Sequence, residues 1–82
     1  MSREEIKELI VSSLKLSITP AEIPDAVSLN EEIGLDSINA LELASSLEEK
    51  YDVTISDDQI YKVLESVNTI HSFITTQTGG AA

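Results

Sequence analysis

Apolar residues recur at helical spacing in several separate stretches, and the breaks between those stretches divide the chain. Ile6, Leu9, Ile10 and Leu14 fall three or four residues apart, which places them on one stripe of a helix. Ser2 and Glu5 stand ahead of them in the S-x-x-E pattern of a capping box, and together they predict a first helix over residues 2–16. Pro20 and Pro24 rule out a regular helix across the next stretch, because proline lacks a donor and clashes with the preceding turn. Residues 17–36 therefore form a connection of about twenty residues, long for a structureless loop in a compact domain. Ile18, Ile23, Val27, Leu29, Ile33 and Leu35 suggest that it lies across the core, and Gly34 supplies a backbone turn at its end.

A second helix is expected over residues 36–51. Ala40, Leu43, Ala44, Leu47 and Tyr51 form its inward stripe, while Ile38 and Leu41 lie off that stripe. Glu42, Glu48 and Glu49 flank it as polar positions. Val53 and Ile55 read as a short extended link. Ser56 and Gln59 repeat the capping-box pattern and predict a short third helix through Ile60, Val63 and Leu64. A fourth helix runs from Ser66 or Val67 to Thr75, with Val67, Ile70, Phe73 and Ile74 turned inward. The predicted fold is all-α: a four-helix bundle with a long loop between helices one and two and a short third helix. Residues 1–75 form the domain, and residues 76–82 a flexible tail.

Composition narrows the possibilities. The 82 residues fit one domain, and a domain this small buries only about 60% of its unfolded surface. Aromatic content is 4%, with no Trp and one Phe, so the core is built from Ile, Leu, Val and Ala. Fifteen acidic and five basic side chains give a net charge of -10. Such a surface repels nucleic acid and anionic membranes and favours partners with basic patches. It also repels itself, so marginal stability at low salt, improved by Mg²⁺ or Ca²⁺, is expected. There is no Cys, hence no disulfide or thiolate chemistry from the chain itself. No apolar run approaches the length of a membrane span, and the charged N-terminus lacks the apolar stretch of a signal peptide. A cytoplasmic or organelle-matrix location fits best, and the cytoplasm is the expectation. One His and no Cys argue against zinc. No third orienting group or oxyanion site accompanies Ser37 and His71, so no catalytic residue is assigned.

The stretch Gly34-Leu35-Asp36-Ser37-Ile38 stands at the start of the second helix. It resembles the attachment motif of acyl carrier proteins, G-x-D-S-[LI]. The following Asn39-Ala-Leu-Glu-Leu-Ala-Ser-Ser-Leu-Glu-Glu-Lys-Tyr resembles that family's second helix, and the likeness runs roughly from Ile6 to Ile74. The tetrapeptide is weak evidence alone. Its place after a long loop, in an acidic chain of this length, makes it strong.

The resemblance implies that Ser37 accepts 4'-phosphopantetheine from coenzyme A through a phosphopantetheinyl transferase, with Asp36 helping to hold Mg²⁺ during loading. It implies that Ile38, Leu41, Glu42, Glu48 and Glu49 meet acyl-transferring, condensing or acyl-activating enzymes with basic patches. Ala40 and Ala44 are small residues on the buried face, leaving room for a cargo beside Leu47, Ile55, Ile60 and Ile70. The expected protein is a monomeric carrier, not an enzyme, serving fatty acid, polyketide or related specialised synthesis. Asn39 and Ser45 depart from the family's usual acidic and larger apolar residues, a hint of specialised duty. An aminoacyl or peptidyl carrier is the alternative, as is a regulatory protein with the same fold and no arm. The Met1 start and short Gly-Gly tail favour a separate protein over a domain cut from a synthase. Either Asp36 or Ser37 can cap the second helix.

Overall fold

Ser2 opens the first helix as its capping pattern predicts. In a computed structural model that describes residues 2–78, its hydroxyl accepts the Glu5 N–H at 3.3 Å. Helix α1 follows over Arg3–Leu14. It ends at Lys15 in the left-handed conformation, two residues short of the expected end. Along the chain follow α2 (Leu29–Ile33), α3 (Ser37–Tyr51), α4 (Ile60–Val63) and α5 (Val67–Gln77), with no strand among the described residues. The all-α bundle expected from the sequence is therefore present, with a short α2 added inside the long connection.

Helix α1 packs against both α3 and α5, and the short α4 bridges α3 and α5. Each long helix buries its stripe: Ile6 and Ile10 from α1, Ala40, Leu43 and Leu47 from α3, Val67, Ile70 and Ile74 from α5. Fully burying one Leu or Ile contributes about 1.5–3 kcal/mol, so these contacts carry most of the stability.

The connection is not structureless. A single 3₁₀ turn spans Pro20–Glu22, held where the Glu22 carboxylate accepts the Thr19 N–H at 2.7 Å. Ile23, Leu29 and Leu35 are buried, while Ile18 and Ile33 pack partly against the core. Val27 is turned outward, contrary to expectation. Lys7 pairs with Asp25 at 2.5 Å and holds its carboxyl below the usual carboxylate range. The Asp25 carbonyl accepts the Asn68 N–H at 2.9 Å, and the Glu65 carbonyl accepts the Leu29 N–H at 2.8 Å. These bonds pin the connection to α1, to the start of α5 and to the end of α4.

Two further boundaries differ from the sequence reading. Ser56 Oγ does donate to Gln59 Oε1 at 2.9 Å, but this pair closes a turn ahead of the helix, and α4 begins only at Ile60. Helix α5 begins with a capping box in which Ser66 and Thr69 exchange side-chain and backbone bonds. It continues through Gln77, past the expected end at Thr75. The rest of the proposed tail, residues 79–82, lies outside the described residues. No helix among the described residues is long and apolar enough to cross a membrane.

Candidate functional site

Three consecutive residues place Ser37. Gly34 ends α2 with φ +66, a left-handed conformation that favours glycine, and its N–H donates to the Asn30 carbonyl at 3.0 Å. Leu35 anchors the turn by burying its side chain. Asp36 is the N-cap of α3: its carboxylate accepts the Asn39 N–H at 2.8 Å, and its carbonyl accepts the Ala40 N–H at 2.8 Å. The choice of cap left open by the sequence thus falls on Asp36. Ser37 becomes the first residue of α3 and stands exposed. With the Asp36 carboxylate spent on Asn39, the Ser37 and Ile38 N–H groups have no intrahelical acceptor and carry the positive end of the helix dipole.

The inward stripe of α3 fixes this geometry. Ala40, Leu43 and Leu47 are fully buried, so the helix cannot roll without exposing them. On the outer side Ile38 and Leu41 are 67% and 54% exposed, flanking Ser37 with apolar surface. Glu42 and Glu49 are exposed as well. Glu48 is different: it is half-buried, and its carboxylate accepts the Ile55 N–H at 2.9 Å. That bond ties the extended link of Val53 and Ile55, both buried, back onto α3.

A cleft of about 220 Å³ opens beside Ser37, lined also by Ala40, Leu41, Asp57, Ile60 and Tyr61. Of the expected cargo-pocket residues, Ala40 and Ile60 reach this cleft. Ala44, Leu47, Ile55 and Ile70 are buried in the core and do not line it. Tyr61 and Asp57 were not anticipated. Tyr61 is 64% exposed on the outer side of α4 beside exposed Lys62, while Ile60 and Val63 of the same helix are buried. A large aromatic between two buried apolar residues and a lysine was the available signal. The other tyrosine, Tyr51, has its hydroxyl buried without a partner, and burial, then Glu5, pushes that hydroxyl's pKa up. Among the described residues no group of His, Asp or Glu is arranged to hold a metal ion.

Residues 4–74 match the family model described as the phosphopantetheine attachment site. An acyl carrier protein of Exiguobacterium sibiricum is 34% identical over 79 residues, covering 94% of this chain and 99% of that protein. An acyl carrier protein of Sulfurovum sp. is 38% identical over 56 residues, covering 68% of this chain and 72% of the relative. One from Wolinella succinogenes is 33% identical over 60 residues, covering 73% and 76%. With a family model that matches nearly the whole helical domain, and with relatives of one kind, one of them matched over 99% of its length, the chain belongs to the acyl carrier protein family, whose prosthetic group is 4'-phosphopantetheine.

Proposed function

We propose that Ser37 is the attachment point of the phosphopantetheine arm and that the protein shuttles acyl intermediates between biosynthetic enzymes. The observation that carries this reading is the exposed Ser37 hydroxyl at the first position of α3, inside the Gly34-Leu35-Asp36-Ser37 sequence. The residues present fit the group. A phosphodiester at this oxygen faces the unpaired N–H groups of the helix start, an arrangement favourable by about 0.3–1 kcal/mol where exposed. Once attached, the arm supplies the thiol that this cysteine-free chain lacks and holds acyl groups as thioesters.

Loading requires the Ser37 oxygen to form a bond to the β-phosphorus of coenzyme A while the bond to the departing adenosine bisphosphate breaks. Asp36, one residue away and exposed, would help hold the transferase's Mg²⁺ through the carboxylate oxygen that does not cap α3. The chain contributes one hydroxyl, its presentation and a docking surface, and it acts as a carrier rather than a catalyst.

Docking falls to Ile38 and Leu41, with Glu42 and Glu49 supplying charge around them. Glu48 adds charge, but its carboxylate also serves the fold through Ile55. Each exposed ion pair with a basic partner is worth about 0.2–1 kcal/mol, which gives association that is fast, weak and salt-sensitive. A shuttle must leave each enzyme after each step, so weak pairs suit it. The transferase and acyl-handling enzymes are the partners, and the cytoplasm is the proposed setting. The test is incubation with coenzyme A, Mg²⁺ and a broad-specificity transferase, followed by intact mass. The wild type is expected to gain one phosphopantetheine and Ser37→Ala none. An unmodified wild type under conditions that load another carrier would count against the proposal.

A further inference from the structure

We infer that the groove between α4 and α5 is a second docking surface, which takes an acidic segment of a partner protein anchored by an apolar side chain. The inference does not rest on Ser37 being the attachment residue.

The groove measures about 360 Å³. Val63 and Phe73, the chain's one Phe, form its floor, and Gln59, Asn68 and Ser72 supply amides and a hydroxyl around it. It shares no lining residue with the cleft beside Ser37. On α4, Tyr61 lines that cleft, and Lys62, the next residue, lines this groove. An apolar floor inside a polar rim is the pattern that receives an anchoring side chain at a protein interface. Gln59, Lys62 and Ser72 are exposed, so the groove lies open and does not surround a small molecule as an ordinary ligand site does. A larger partner that inserts one side chain and covers the rim fits it better.

Charge selects the partner. The chain carries 15 acidic and five basic side chains, yet two of the five basic ones meet here. Lys62 lines the groove, and Arg3 reaches its edge, where the Arg3 Nε–H donates to Asn68 Oδ1 at 2.8 Å. No carboxylate lines it, whereas Asp57 lines the cleft beside Ser37 and Glu65 the cleft between α2 and α4. Asp25 pairs with Lys7, which stands one turn from Arg3 on the same side of α1. Glu4 and Glu5, which follow Arg3 in the chain, and Asp58, ahead of Gln59, do not line the groove.

The groove is thus a cationic spot on a chain of net charge -10. A segment with carboxylates beside an apolar side chain is attracted here and repelled elsewhere. The same repulsion keeps the association weak, and it disfavours a second copy of this chain as the occupant. Because the groove and the acidic α3 face are separate, a basic enzyme and an acidic partner can be bound at once.

The experiment titrates isotope-labelled, unloaded protein with two end-blocked peptides, Glu-Glu-Leu-Phe-Glu-Glu and Lys-Lys-Leu-Phe-Lys-Lys, up to millimolar concentration. The acidic peptide is expected to move the amide signals of Lys62, Asn68, Ser72 and Phe73 and to leave those of Ile38 and Leu41 in place. The basic peptide should instead move signals around Glu42 and Glu49. Lys62→Glu and Arg3→Glu, both at exposed positions, should each weaken the acidic peptide several-fold while helical circular dichroism persists. Lys62→Arg should retain binding. No binding of the acidic peptide, its binding on the α3 face, or equal occupation of the groove by both peptides overturns the inference. A Lys62→Glu variant that binds the acidic peptide as wild type does overturns the role of charge. Dimerisation at high protein concentration that Lys62→Glu abolishes makes a second copy the occupant and overturns the partner.

Discussion

Asp36 performs two tasks that one substitution pair can separate. Its carboxylate caps α3 through the Asn39 N–H at 2.8 Å, and the proposed loading reaction needs its charge. Asp36→Ala removes both. Loss of an N-cap side chain costs about 0.5–2 kcal/mol, typically about 1. For a domain of this length, 1 kcal/mol lowers Tm by about 4–8 °C. Asp36→Asn keeps an oxygen able to accept the Asn39 N–H, and asparagine ranks with aspartate as a cap. What it loses is charge. The interaction of that charge with the helix dipole is worth about 0.3–1 kcal/mol, and relief of repulsion in a chain of net charge -10 offsets part of it. Thermal unfolding followed by helical circular dichroism should place Asp36→Asn within a few degrees of wild type and Asp36→Ala clearly below. Transferase loading followed by mass should be strongly slowed in both. Wild-type loading by Asp36→Asn would refute the metal role. An Asp36→Ala variant as stable as wild type would refute the cap.

Three further outcomes are expected. The Lys7 ammonium lowers the Asp25 pKa below 3.8, so the pair stabilises the fold above that pH and the contribution is lost as pH falls through the lowered value. Asp25→Asn should thus reduce stability at neutral pH, with the difference from wild type shrinking on acidification in urea titrations below pH 4. A difference that grew in acid would contradict the sign. Gly34→Ala meets no neighbouring atom but keeps a φ of +66, so it should destabilise by about 1–2 kcal/mol through the backbone alone, measured by urea unfolding. Leu47→Ala should cost about 2–5 kcal/mol, whereas Leu41→Ala should leave Tm nearly unchanged and weaken binding to a partner enzyme in a titration.

Helices α1, α3 and α5 were legible because each shows a stripe over three turns and a side chain able to cap it. Asp36, Ser37 and the exposed pair Ile38 and Leu41 could be placed for the same reason, since the stripe of α3 fixes which side faces out. Helix α2 was not legible. Five residues complete too few turns to display a period, and Gly34, which ends it, reads equally well as a loop turn. The Ser56 and Gln59 pattern predicted a real hydrogen bond but placed the helix start too early, because a single turn makes the same contact. Helix α4 is too short for its outer side to be known in advance, so Tyr61 and the cleft it borders emerged only in three dimensions. Glu48 looked like its acidic neighbours until the link at Ile55 folded back onto it.

The most direct measurement is to locate the modification. Loaded protein, cleaved and fragmented in a mass spectrometer, should carry the whole phosphopantetheine mass on residue 37. Finding it on a different serine of this chain, or on none when the transferase is demonstrably active, would contradict the account.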